Sequence, residues 1–190
     1  QTSNIPSMQE SVKNGEVTTA FKAATIADGI AVKTPGEYTF EIIKDLVDEV
    51  IVVEESEIAQ AMLFLLENQK VTAEGAGAVT TAALLSGKYK PAKDENVVCI
   101  ISGGNVDVNT LYRVIGTALT SEGRRYVFKT KIQDKPGGLA ELTQIISGLN
   151  ANILSANMTR PPKETLGSLY LEIELETFNQ EHKDKIKQAV

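Results

Sequence analysis

An α/β protein made of two unlike parts is predicted by three observations. Over residues 1–120, apolar residues at helical spacing alternate with short, unbroken β-branched runs. After residue 124 the apolar spacing switches to every second residue, the mark of a strand with one buried face. The charge balance changes where the patterns meet: residues 1–120 carry 9 Lys/Arg against 16 Asp/Glu, and residues 121–190 carry 10 against 9. The turn-rich stretch 116–125 is therefore the expected boundary between a unit of residues 1–120 and a unit of residues 121–190.

In the first unit, Ser7-Met8-Gln9-Glu10 is a capping-box pattern that opens a short helix ended by Asn14-Gly15. Beyond Pro35-Gly36, Tyr38, Ile42, Ile43, Leu46 and Val47 recur at helical spacing, and residues 50–53 follow as a buried strand. A longer helix is expected over 55–68, with Ile58, Met62, Leu65 and Leu66 on its apolar side and a Glu-rich first turn that suits the helix dipole. Glu74-Gly75-Ala76-Gly77-Ala78 leads into a small-residue helix over 79–85, closed by Gly87. A second buried strand over 97–101 runs into Ser102-Gly103-Gly104-Asn105 and a helix over 107–115. This order predicts part of an open, mostly parallel sheet, whose ligands sit beyond the strand C-termini.

The second unit reads as strand (126–133), helix (139–149), strand (152–159), a loop at Pro161-Pro162, strand (169–175) and a charged helix (180–188). Asp134-Lys135-Pro136-Gly137-Gly138 breaks the first strand, and Asn150 ends the first helix. The order β, α, β, β, α is that of a split βαβ, ferredoxin-like module one strand short of its full set.

Composition excludes several classes of function. Hydrophobic residues make up 42% and charged residues 23% of the 190, the balance of an ordinary globular protein. Tryptophan is absent, aromatics are 5% and the net charge is −6, which argues against a nucleic-acid partner. No apolar run reaches the roughly 18–20 residues of a membrane span, and Gln1-Thr2-Ser3-Asn4 reads as a start in mid-sequence with no signal core. The single cysteine, Cys99, sits in an apolar run and reads as a core thiol, which fits a cytoplasmic setting.

Few chemical constellations are available. One histidine, His182, cannot assemble a Ser/His/Asp set or a metal site, and Glu172, Glu174 and Glu176 read as the wet face of a strand. Neither a Walker loop nor a Gly-x-Gly-x-x-Gly fingerprint is present. Ser102-Gly103-Gly104-Asn105 is more informative. Two glycines let backbone approach a flat ligand, and a hydroxyl at a strand end can hydrogen-bond a ring nitrogen. The same residues also read as a tight turn, with Asn105 capping the next helix. Glu74 places a carboxylate beside a helix N-terminus, either as a pocket wall or as a plain cap.

The motifs Thr25-Ile26-Ala27-Asp28-Gly29-Ile30, Asp45-Leu46-Val47-Asp48-Glu49-Val50, Glu74-Gly75-Ala76-Gly77-Ala78 and Ile101-Ser102-Gly103-Gly104-Asn105-Val106-Asp107 together resemble the C-terminal half of the catalytic domain of threonine dehydratases (threonine ammonia-lyases), in their short, catabolic form. Serine racemase is a similar relative. The resemblance implies a fold type II pyridoxal phosphate enzyme that eliminates water from threonine or serine, giving a 2-oxo acid and ammonia. It also implies that Ser102 meets the pyridine nitrogen of the cofactor, that Gly103 and Gly104 make room for the ring, that Asn105 fixes the turn and that Glu74 lines the pocket. A neutral hydroxyl does not hold the ring protonated, so the electron sink is weak, which favours prompt β-elimination.

Two departures stand out. The acidic residues with which relatives bind a divalent cation are matched by Gln1 and Ser7. The pattern that carries the Schiff-base lysine has no counterpart in this sequence, because Lys22 in Phe21-Lys22-Ala23-Ala24 lacks the Arg-Gly that should follow. The expectation is an inactive chain until a missing N-terminal half is supplied.

Residues 124–190, through Asp134-Lys135-Pro136-Gly137-Gly138-Leu139 and Gly148-Leu149-Asn150-Ala151-Asn152-Ile153, resemble an ACT domain, an amino-acid-sensing module. Gly137 and Gly138 bare backbone N–H groups at a helix start, which suits a carboxylate. The resemblance implies that Asp134 and Asn152 hold an effector between paired domains, with the helix exit facing the loop. A branched-chain amino acid such as isoleucine or valine is the expected effector, and a homo-oligomer the expected assembly. The loop also reads as a plain helix start.

Overall fold

Apolar periodicity becomes helix wherever a neighbouring element covers the apolar side. The computed structural model describes residues 1–160 and 167–190, and its chain divides into two units, Gln1–Ala118 and Leu119–Val190. The Pro161-Pro162 loop expected from sequence lies outside the described residues.

In the first unit, α1 (Ser7–Asn14) ends on Gly15, whose φ of 78° is left-handed. Its expected capping box is not formed: Pro6 is the N-cap and the Ser7 hydroxyl donates instead to Val32 O. Ser7 is fully buried, so its hydroxyl goes where an otherwise unpaired carbonyl needs it. After the short turn Asp28–Ile30 comes α2 (Glu37–Leu46). A capping box does form at α3 (Glu55–Phe64), where Glu54 and Glu57 bond each other's backbone N–H. One wide turn, Leu65–Gln69, carries that helix on to Lys70, which is left-handed. α4 spans Gly75–Leu85 and starts earlier than predicted, taking in the whole Gly-Ala-Gly-Ala stretch. It packs on α3, burying Ala76, Ala78, Thr81 and Ala82 beside the buried Ile58, Ala61 and Met62.

The two predicted strands of this unit differ from expectation. Residues 50–53 and 97–101 form no strand, and among the described residues their only bridge is a parallel one between Thr2 and Val53. Ser3 N donates to Val53 O and Val53 N to Gln1 O, each at 2.8 Å. A ladder needs a neighbour roughly 4.8 Å away along the whole strand, and the described residues supply none to 97–101. In consequence Val98 is 84% exposed and Cys99 is half-buried rather than a core thiol.

α5 (Val108–Ser121) outlasts its predicted end and consumes most of the stretch 116–125 that read as a turn. Val114 and Ala118 keep its apolar period going, and Gly123, with φ 68°, ends the excursion. A Cβ at Gly123 would lie 2.6 Å from the Cα of Gln180, so only glycine fits.

The second unit contains β1 (Arg125–Gln133), α6 (Gly138–Gly148), β2 (Asn152–Thr159), β3 (Ser168–Glu176) and α7 (Gln180–Ala189). The sheet is antiparallel in the order β1-β3-β2, so β3 lies between the two strands that α6 connects. A bulge interrupts β2 between Ile153 and Ser155. Leu171, Ile173 and Leu175 point into a closed core with Leu142 and Ile146 of α6 and Ile186 of α7. On the opposite face Lys129 pairs with Glu172 and Arg125 with Glu174, both at 2.8 Å, so the acidic ladder is the wet face predicted.

Candidate functional site

The start of α4 organises the first site. Glu74 is the N-cap residue; its N–H donates to Gly103 O at 3.1 Å, and its Oε2 accepts from Asn105 N at 3.0 Å. One residue thus holds both ends of the Gly103-Gly104-Asn105 bend. The glycines are dictated by close approach: a Cβ at Gly77 would lie 2.7 Å from Gly103 O, and one at Gly103 would lie 2.5 Å from Glu74 Oε1. Gly104 meets Thr72 O in the same way, at 2.7 Å. Gly29, in the Asp28–Ile30 turn, stands on the other side of the same carboxylate, with 3.4 Å from its ideal Cβ to Glu74 Oε1.

This packing leaves the Ser102 side chain outward. It is exposed and, among the described residues, has no hydrogen-bond partner. A hydroxyl held at the end of a bend whose backbone is pinned behind it is free to meet a ligand atom, and the two following glycines keep a flat ring unobstructed. The alternative reading, in which Asn105 caps the next helix, does not hold. Asp107 does that work, accepting from Thr110 N at 3.0 Å, and hydrogen bonds from Thr110, its hydroxyl first, hold the Asp107 carboxyl below the usual carboxylate range. Asp107-x-x-Thr110 was the signal available in sequence.

A second residue missed by sequence reading is Glu55. Its carboxylate accepts from the Thr2 hydroxyl at 2.5 Å and from Ile26 N at 2.8 Å, and so ties the chain start and the segment before Asp28 to α3. Beside this framework lies an open apolar cleft of about 650 Å³, lined by Gly29, Ile30, Val79, Val97 and Val98 among others. Lys22 is exposed, the surface lysine its context in sequence implied. Gln1 Oε1 accepts from Gln9 N, and with Ser7 turned to Val32 neither side chain stands free as a cation ligand.

In the second unit the predicted effector residues separate. Asp134 is exposed and meets Arg160 with both carboxylate oxygens, at 3.1 and 3.4 Å. Gly137 is left-handed at φ 92°, Gly138 N donates back to Lys135 O, and Pro136 and Leu139 are exposed beside them. A cleft of about 360 Å³ near Gly138 also takes in Lys131, Lys135 and Glu141. Asn152 is elsewhere: its Nδ2 donates to Glu176, opposite Arg125 in the sheet, whereas Asp134 follows Gln133 at the other end of β1. At ~3.3 Å per residue, a nine-residue strand puts them roughly 25 Å apart. The helix exit therefore does not face the loop within one chain, because β2 begins beside the Arg125 end of the sheet and the loop follows its Gln133 end.

Residues 1–103 match the family described as pyridoxal-phosphate dependent enzyme. Over its full length the chain is 46% identical to an L-threonine ammonia-lyase of Thermotoga maritima and spans 47% of that protein. Among solved structures, a serine racemase from maize is similar at 34% identity and a TM-score of 0.54, covering 64% of this chain and 38% of that one. The processed form of threonine deaminase isoform 2 from Solanum lycopersicum is similar at 32% identity and a TM-score of 0.54, covering 61% and 34%. The chain thus spans about half the length of the curated relative, or less of the solved ones. The matched stretch takes in the start of α4 and the two loops pressed against it, and the chain belongs to the pyridoxal-phosphate dependent enzymes.

Proposed function

We propose that this chain forms the cofactor-ring side and the regulatory unit of an L-threonine ammonia-lyase, which converts L-threonine to 2-oxobutanoate, and L-serine to pyruvate, with release of ammonia. One observation carries the reading: the outward Ser102 hydroxyl on a glycine bend whose backbone is clasped from behind by Glu74. Those residues fit pyridoxal 5'-phosphate. Gly103 and Gly104 keep one face of the bend free of side chains, and Ser102 offers a neutral donor and acceptor for a ring nitrogen. The cofactor, when bound, withdraws electrons from the carbon that bears the amino group and so eases loss of the β-hydroxyl. Ser102, being uncharged, orients the ring without holding a full proton on its nitrogen. Gly29 and Ile30, on the far side of the Glu74 carboxylate, line an apolar cleft.

The Schiff-base lysine and the phosphate loop belong to a complementary N-terminal half, which the runs 50–53 and 97–101 receive as added strands. The exposed Val97, Val98 and Ile100 along the second run support this. The test mixes the chain with that half and pyridoxal phosphate and measures 2-oxobutanoate from threonine. Turnover is expected only in the mixture and is lost with Ser102→Ala; turnover by the chain alone would overturn the reading. A serine racemase-like activity, favoured by the likeness to the maize structure, would instead give D-serine from L-serine.

The second unit acts as an ACT module that binds a branched-chain amino acid such as isoleucine or valine; its β-α-β-β-α order and β1-β3-β2 sheet support that. With Asp134 and Asn152 at opposite ends of one chain's sheet, a site using both requires a second copy, so the assembly is a homo-oligomer. Thermal shift against single amino acids tests this, and a flat response to all would remove the sensor and leave an inert fragment. The setting is cytoplasmic, in keeping with a lone thiol and no helix long and apolar enough to cross a membrane among the described residues.

A further inference from the structure

We infer that Glu74 is a positioning residue: its carboxylate, acting as a hydrogen-bond acceptor and not through its charge, sets where the Ser102 hydroxyl stands. The inference deepens the cofactor-site reading above and rests on it for the ligand, though the clasp itself is a property of the apo chain. Three observations combine. Glu74 Oε2 accepts the Asn105 N–H at 3.0 Å, and Glu74 N donates to Gly103 O at 3.1 Å, so both partners of the bend trace to one residue. The carboxylate then fills the space that a side chain at Gly103 would need, with the ideal Cβ position 2.5 Å from Oε1. Finally, Glu74 is fixed by α4, whose first turn has no slack. A Cβ at Gly75 would lie 2.2 Å from Ile26 O, and one at Gly77 would lie 2.7 Å from Gly103 O.

A rigid helix start is thus keyed into the Ile26–Ala27 segment on one side and into the bend on the other, with the Glu74 carboxylate as the spacer between them. Removing the carboxylate frees the Asn105 N–H and opens a gap behind Gly103. The bend can then relax backwards, and the Ser102 hydroxyl moves with it. Replacing the carboxylate by an amide keeps an acceptor of the same reach, and so keeps the position.

Amide hydrogen exchange on the 190-residue chain, without cofactor, reads the clasp directly. Glu74→Ala is expected to speed exchange at Asn105 by tenfold or more while the amides of 78–85 in α4 keep their protection, and Glu74→Gln is expected to restore the wild-type rate. In the complemented enzyme, Glu74→Ala should weaken pyridoxal phosphate binding at least tenfold and shift the cofactor's visible absorbance, with Glu74→Gln close to wild type in both. Unchanged Asn105 exchange in Glu74→Ala would overturn the inference, and so would a Glu74→Gln variant that exchanges like Glu74→Ala. Loss of protection across α4 in Glu74→Ala would also overturn it, as a sign of general unfolding. If the exchange results hold but the complemented wild-type protein binds no pyridoxal phosphate, the cofactor-site reading fails and the clasp stands.

Discussion

The two units satisfy their apolar residues in opposite ways. In residues 119–190, each strand of the sheet has a partner and two helices close one face, so Ile173, Leu175, Ile146 and Ile186 lose all contact with water. In residues 1–118, helix pairs bury their own seam, but Leu46 is 77% exposed, Ile100 is 71% exposed and two β-branched runs have no ladder among the described residues. The contrast shows that a β-branched run becomes a strand only where residues elsewhere in the chain supply its neighbour. The unit whose three strands all pair closes its own core; the other holds a site framework while leaving an apolar face uncovered.

The largest expected effect tests the closed core. Ile173→Ala removes a fully buried side chain from the central strand and should cost about 2–5 kcal/mol, measured by denaturant unfolding followed in residues 119–190. Exchange rates around Glu74 should stay as they were; a matching loss there would erase the contrast between the units.

Gly77→Ala is expected to cost about 1–3 kcal/mol, because the added methyl meets the Gly103 carbonyl, a backbone atom that cannot step aside. This penalty should appear as faster exchange at 102–105 and leave β1, β2 and β3 untouched. A neutral result would mean that α4 and the glycine bend are not in tight contact.

His182 offers a smaller test in the second unit. Its Nδ1 accepts from Phe178 N at 3.1 Å and its Nε2 meets Leu149 O at 2.7 Å, so the ring is held as the Nε2-protonated tautomer and ties α7 to the exit of α6. His182→Ala should cost about 1 kcal/mol in thermal unfolding, with exchange rising at Leu149 and Phe178 first.

The smallest effect is one of pH. Hydrogen bonds from Thr110 hold the Asp107 carboxyl below its ordinary range, so its contribution is fully present above the unfolded-state value and is lost as pH falls through the lowered folded-state value. Acidification through that lowered range should therefore fray the first turn of α5, as read by exchange at Thr110, and Asp107→Asn should flatten that response. Fraying on raising the pH would contradict the sign.

Much of this was legible beforehand, for local reasons. Gly15, Gly137 and Asn150 end or start elements because their backbones turn left-handed there, and such residue preferences show in sequence alone. The wet acidic face of β3 followed from strict alternation. The exposed Ser102 bend was found because two glycines after an apolar run are uncommon without a reason in packing or binding. The misreadings were of another kind. Ser7 looked like a cap and became a buried donor to Val32, and Asn105 looked like a cap and Asp107 took the place.

Helix period, strand alternation, turn chemistry and family membership were thus determined by the sequence, since each depends on residues within a few positions of one another or on a shared pattern of them. Partner choice was decided only by the tertiary structure. Glu74 finds a peptide N–H thirty-one residues away and Glu55 one twenty-nine away, because a buried or half-buried polar group must pair with whatever the fold brings near, and chain distance carries no record of that.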